Sequence, residues 1–170
     1  MIELRTSHVG AFLVLLVLAP LAAPAGAADW GTITPGTTTT EQVRAQYGGP
    51  TRATTQKADN YDTTQWVYEE AQAPVGMIRM TVDFGLLAEG TYRANIVRSF
   101  KLEPRPGVFT RQMIAAGWGE PTSVSPPGDR PPRIFYASGL FVTFDKDGLI
   151  AESMLFMPPQ PLPAVAPPRR

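Results

Sequence analysis

The chain has 170 residues, with 15 basic and 15 acidic side chains, one histidine and no cysteine. That length holds one domain or two small ones, and 44% hydrophobic residues suffice for a buried core. Zero net charge argues against nucleic acid as the main partner, and the lack of cysteine excludes disulfides, thiolate nucleophiles and cysteine-ligated metals.

Arg5 precedes an apolar run over residues 9–19. Pro20 and Pro24 break any helix there, and Ala25-Gly26-Ala27-Ala28 supplies small residues. The order basic, apolar, small is that of a secretory signal peptide over residues 1–28, cut after Ala27 or Ala28. The rival reading is an uncleaved anchor, because residues 9–28 are about long enough to span a bilayer. The expected location is periplasmic or secreted, with no transmembrane segment after cleavage. Losing residues 1–28 removes His8, and with it the commonest general base and transition-metal ligand. No cofactor, metal site or catalytic residue is expected.

Residues 35–51 read PGTTTTEQVRAQYGGPT, and residues 106–122 read PGVFTRQMIAAGWGEPT. They align without gaps at an offset of 71, with 7 identities in 17 positions, so an internal repeat organises the chain. Each copy opens on a Pro-Gly turn. A capped helix follows: Thr38-x-x-Glu41 fits a capping box, while the repeat register favours Thr39 and Thr110 as caps. Val43 and Tyr47 are four apart and share a helix face, as do Ile114 and Trp118. Gly48 and Gly119 suit helix C-termini, and Pro50 and Pro121 prevent continuation.

Three strand-like runs follow each helix. In the first half they cover residues 64–70, 76–84 and 92–102, and in the second 133–137, 140–144 and 149–157. Ile78, Met80, Val82 and Phe84 alternate with polar residues, the pattern of a half-buried strand. Ser138-Gly139 and Asp147-Gly148 are hairpin signals. Residues 56–62 and 124–132 read as linkers, and residues 158–170 as an extended proline-rich, disordered tail. The expected fold is therefore α+β: two tandem units, each a short helix followed by a three-stranded antiparallel meander, over residues 29–104 and 105–157.

This pattern resembles a bacterial exported family, the small outer-membrane assembly lipoproteins of the SmpA/OmlA (BamE-like) type, and the β-lactamase-inhibitory-protein (BLIP-like) fold. The matching residues in the first copy are Pro35-Gly36, Thr39, Tyr47-Gly48-Gly49-Pro50 and Trp66-Val67-Tyr68. In the second they are Pro106-Gly107, Thr110, Trp118-Gly119-Glu120-Pro121, Phe135-Tyr136 and Phe144-Asp145. Tandem copies look more like the inhibitory protein than the single-copy lipoproteins. The lipoprotein cysteine and the inhibitors' disulfides are missing, so tethering and inhibitory activity do not carry over. The resemblance implies a non-catalytic protein-interaction module of the cell envelope, whose partner is an envelope or secreted protein. An inhibitor of a secreted enzyme is the close variant.

Candidate protein-binding residues are Trp66, Tyr68, Arg79, Arg93, Phe135 and Phe141. Aromatics anchor interfaces because they bury large areas at low entropic cost. Trp66 and Tyr68, with one strand face in common, instead pack against the helix bearing Val43 and Tyr47 if they belong to the core. Phe141 alternates against Leu140 and Val142, which places it on the wet face, as Arg79 and Arg93 are placed. Asp145-Lys146-Asp147-Gly148 resembles the start of a calcium loop, but position 12 is Phe156 where glutamate is required, so a hairpin turn is expected. Glu69 and Glu70 are adjacent on a strand and point apart, which rules out a paired acid/base site. Asp83 and Asp145 each close a hydrophobic strand, and a carboxylate-dependent hydrolase would need them together. Pro158-Pro159-Gln160-Pro161 has the spacing of a polyproline ligand, or is a spacer. Arg169 and Arg170 offer two charges to an anionic surface, worth little in salt.

Overall fold

The computed structural model describes residues 26–58, 60–126, 128 and 131–160. Residues 1–25 of the expected signal peptide (1–28) and residues 161–170 of the expected tail (158–170) lie outside them. Two short helices, α1 (Thr40–Tyr47) and α2 (Arg111–Trp118), each precede four strands. The first set is β1 (Arg52–Ala58), β2 (Tyr61–Glu69), β3 (Met77–Ala88) and β4 (Thr91–Pro104). The second is β5 (Ser123–Val124), β6 (Arg133–Phe135), β7 (Leu140–Phe144) and β8 (Ala151–Phe156).

All eight strands form one antiparallel sheet in the order β1-β2-β3-β4-β8-β7-β6-β5. This corrects the expected α+β architecture of two helix-plus-three-strand units. The protein is mostly sheet, with only two short helices. Each half gained a strand because the sheet's outermost members carry no hydrophobic alternation. Every residue of β1 is exposed at the edge of the sheet. The two-residue β5 lies at the head of a segment that reads as linker. The two sets then merge through three residue pairs: Phe100 with Phe156, Lys101 with Leu155, and Leu102 with Met154. The hairpin between β3 and β4 also runs farther than the apolar pattern. It closes on Ala88 opposite Thr91, with Glu89 and Gly90 at φ 50° and 75°, the signs of a type I′ turn.

Both helices are set on the same sheet face by matching contacts. The Thr39 hydroxyl accepts the Gln42 N–H at 3.3 Å, and the Gln42 side chain accepts the Thr39 N–H at 2.8 Å. The capping box is thus Thr39/Gln42, one residue beyond the Thr38/Glu41 pairing. Thr110 caps α2 by accepting the Met113 N–H at 3.2 Å. Gly48 and Gly119 terminate the helices at φ 76° and 77°, a region that a Cβ disfavours. The Tyr68 hydroxyl donates to the Gly48 carbonyl at 3.2 Å, and the Tyr136 hydroxyl to the Gly119 carbonyl at 3.1 Å. Thr39 bridges to Ile96, and Thr110 to Ile150.

The core lies between the helices and this face. Val43 and Ile114 project from the helices into Tyr68, Phe84, Phe100, Phe144 and Phe156, each 0% exposed. Phe100 and Phe156 stack across the seam at 4.4 Å and 4°. Burying a large apolar side chain contributes about 1.5–3 kcal/mol, so one shared core ties both sets of strands together.

Candidate functional site

The alternation that buries one face leaves the other partly solvated. In β7 the buried Leu140, Val142 and Phe144 alternate with the half-exposed Phe141 and Thr143. Antiparallel pairs share a face, so the register carries one row across the sheet. Arg52 lies opposite Val67, Val67 opposite Thr81, and Thr81 opposite Lys101. Lys101 then faces Leu155, Leu155 faces Phe141, and Phe141 faces Phe135. The row is polar at its centre and apolar-aromatic toward β6.

Charged groups flank it. Arg79 donates to Glu69 at 3.0 Å and to Glu103 at 3.3 Å, and Lys101 pairs with Glu103 at 2.9 Å. The Asp83 carboxylate accepts from Gln65 at 2.9 Å and from Ser99 at 3.2 Å. At the other end a cavity of about 280 Å³ opens between Phe135, Phe141, Val124 and Pro126. Val124 is 57% exposed at its rim.

The candidate residues divide between two faces. Phe135, Phe141 and Arg79 stand on the solvated one. Trp66 and Tyr68 lie on the helix side, 8% and 0% exposed. Trp66 packs edge-on against Phe84 at 4.8 Å with the Arg44 guanidinium over it at 5.2 Å. Burial pushes the Tyr68 phenol up to about 12, with the Arg44 charge opposing and Tyr47 adding to the rise. Tyr136 is also buried, which raises its phenol, as Glu120 does. Arg93 is exposed near the end of the β3–β4 hairpin, opposite Leu86. Alternation alone missed Leu155 and Lys101 as neighbours of Phe141, because both come from pairings between distant parts of the chain.

The carboxylates do not assemble. The Asp83 row continues through Ser99 to the Met157–Gly139 bond, whereas Asp145 lies past the far end of β7, about 20 Å along the strand direction. Asp145 accepts the Leu149 and Ile150 N–H groups at 2.9 and 3.2 Å. These main-chain donors, Leu149 foremost, hold its carboxyl below the usual range and make it a turn residue. Glu70 leaves the strand with φ 56°, opening a short 3₁₀ turn (Glu70–Gln72). Among the described residues no three His, Asp or Glu side chains are placed to hold a metal. None of their helices is long and apolar enough to cross a membrane.

Fold and site together define a protein built on one antiparallel sheet, packed on one face and partly solvated on the other. No family model matches the chain, and no curated protein matches it. Among solved structures, the crystal structure of a DUF4309 family protein (YjgB) from Bacillus subtilis is similar. Identity is 16% and the TM-score 0.45, over 75% of this chain and 82% of that one.

Proposed function

We propose that this chain is an exported, non-catalytic protein-interaction module that binds an envelope or secreted protein through the solvated face of its sheet. The observation that carries this reading is the row Lys101–Leu155–Phe141–Phe135, where apolar and aromatic groups stand beside an ion-paired cluster. Such a mixture suits an interface with an aromatic centre and a polar rim. Its export rests on the signal-like residues 1–28, and its place in envelope assembly on the resemblance to SmpA/OmlA (BamE-like) proteins. The matching caps and tyrosine–glycine bonds support descent of the halves from one duplicated unit.

The test is site-specific photocrosslinking in the native envelope fraction. A photoreactive residue is placed at Phe141 or Lys101 on the solvated face, or at Gln46 on the outer side of α1. One protein crosslinked reproducibly from the first two positions and not from the third is the expected result. If that protein is a soluble enzyme, the inhibitor variant takes precedence over assembly. Adducts from α1 alone, or none from any position, overturn the proposal.

A further inference from the structure

The sheet ends on β1 at one side and on β5 at the other, and the two edges are built differently. We infer that β1 pairs with the β1 of a second copy of this chain, antiparallel about a two-fold axis at Thr55, joining two eight-stranded sheets into one.

Unpaired N–H and C=O groups make an edge strand a template for another chain, and shortness, bulges, proline or charge blunt it. β5 has two residues, and Pro126, which has no donor, follows close behind. β1 runs for seven residues without proline, in unbroken register from Arg52 opposite Val67 to Ala58 opposite Tyr61. Its only charges are Arg52 and Lys57. Among the described residues β2 is its only neighbour in the sheet. The outward groups can be assigned from the end of β2. The Glu69 N–H donates to the Thr51 hydroxyl at 3.1 Å, and that hydroxyl donates to the Glu69 carbonyl at 3.2 Å. The main chain of Glu69 therefore faces the β1 side, and alternation turns Val67, Gln65 and Thr63 the same way. Their partners Arg52, Thr54 and Gln56 bond to β2, so the N–H and C=O groups of Ala53, Thr55 and Lys57 point away from it.

A second copy matches this edge in register and in charge. Thr55 is the centre of the strand and of its outward groups, so a two-fold axis there pairs all of them. Thr55 exchanges two hydrogen bonds with Thr55 of the second copy, and Ala53 exchanges two with Lys57 of that copy, as Lys57 does with its Ala53. Threonine favours strands, and threonine pairs stabilise them. The same register sets both charges of the strand opposite alanine: Arg52 faces Ala58 and Lys57 faces Ala53. An axis at Lys57 would instead set two lysines face to face, which is unfavourable. Each charge also has an acidic neighbour in its own chain, Glu69 at 3.8 Å from Arg52 and Asp62 opposite Lys57, and the chain carries no net charge. The copies thus meet without mutual repulsion. Isologous pairing uses the edge of both copies, and the blunted β5 accepts no further strand, so assembly closes at the dimer. Both solvated faces then lie on one side of a single sheet and can engage a clustered partner together. That consequence rests on the interaction-module reading; the pairing itself does not.

The experiment is sedimentation velocity of the purified protein, with amide exchange measured at low and high concentration. One strand pair is a smaller joint than a standard interface, so a dimer with a dissociation constant between about 1 µM and about 1 mM is expected. On dimerisation the amides of Ala53, Thr55 and Lys57 gain protection, while those of Thr54 and Gln56, already bonded to β2, keep theirs. Thr55→Pro removes an outward donor and leaves the bonds to β2 in place, so it weakens the dimer about tenfold or more with the thermal midpoint in dilute solution unchanged. Thr55→Lys opposes two like charges on the axis and weakens the dimer at low ionic strength, with recovery in about 1 M salt. A single chain at every concentration up to about 1 mM overturns the pairing. A dimer indifferent to both substitutions, or protection gained elsewhere than on β1, overturns it as well. A monomer whose β1 amides become protected only when an envelope protein is added assigns the edge to that protein and overturns self-pairing. No partner is needed for the dimer, so failure of the photocrosslinking leaves this result standing, and the reverse.

Discussion

Phe156→Ala tests the seam between the two sets of strands. Phe156 is 0% exposed, stacked on Phe100 at 4.4 Å and tilted against Trp118 at 6.0 Å. Removing a buried phenyl ring costs about 3–5 kcal/mol, from lost transfer energy and the cavity left behind. With a urea dependence of about 2 kcal/mol per molar, a loss of about 4 kcal/mol lowers the midpoint by about 2 M. Phe156→Leu keeps most of the volume and costs below about 1.5 kcal/mol. Because core and sheet are shared, the loss spreads to both halves. Amide hydrogen exchange then accelerates up to about a thousandfold in β2–β3 as well as in β6–β7, wherever exchange requires global opening. Acceleration in β6–β8 alone, with β2 and β3 unchanged, would refute the reasoning by showing that the halves unfold independently.

Three further outcomes follow from particular contacts. Thr110→Ala removes the α2 cap to the Met113 N–H and costs about 1 kcal/mol, measured by urea denaturation; a change below a few tenths contradicts a structural cap. The folded Tyr68 phenol is raised to about 12 from 10.0, so its contribution is intact below pH 10 and declines as pH climbs through the folded value. Tyr47 and Tyr136 shift in the same direction, also through burial, so thermal midpoints fall above pH 10. Tyr68→Phe lowers stability at pH 7 by about 1 kcal/mol through the lost bond to Gly48, yet flattens the alkaline decline; an unchanged alkaline profile contradicts a buried phenol. Arg79→Ala breaks two ion pairs on a side chain 42% exposed, and costs below about 1 kcal/mol, less in high salt. A loss above about 2 kcal/mol, independent of salt, contradicts its solvated setting.

Local signals were legible in the sequence, and relations between distant segments were not. Helix α1 could be read from the Thr39 cap, the Val43/Tyr47 spacing and the stop at Gly48, because each acts within a few residues. The alternation around Val82 and around Val142 likewise marked the strand faces. β1 was hidden because every residue of its sequence RATTQKA is exposed, so no hydrophobic alternation carries a trace of its pairing with β2. The β4–β8 seam was hidden for another reason. Phe100 and Phe156 each announce a buried position, but nothing local says that they face one another. The same limit applied to the site. Phe141 could be placed on the wet face, whereas Leu155 and Lys101 joined its row only through the seam. Trp66 and Tyr68 show the converse: an aromatic alternation has the same pattern in a core as on a binding surface, and burial alone separates them.

The continuous solvated face exists only if β4 pairs with β8, so interstrand NOEs across that seam are the most direct measurement. Main-chain contacts between Phe100 and Phe156, Lys101 and Leu155, and Leu102 and Met154 are the predicted result, together with slow amide exchange on both strands. Intact contacts within β1–β4 and within β5–β8, with none between β4 and β8, would contradict the account.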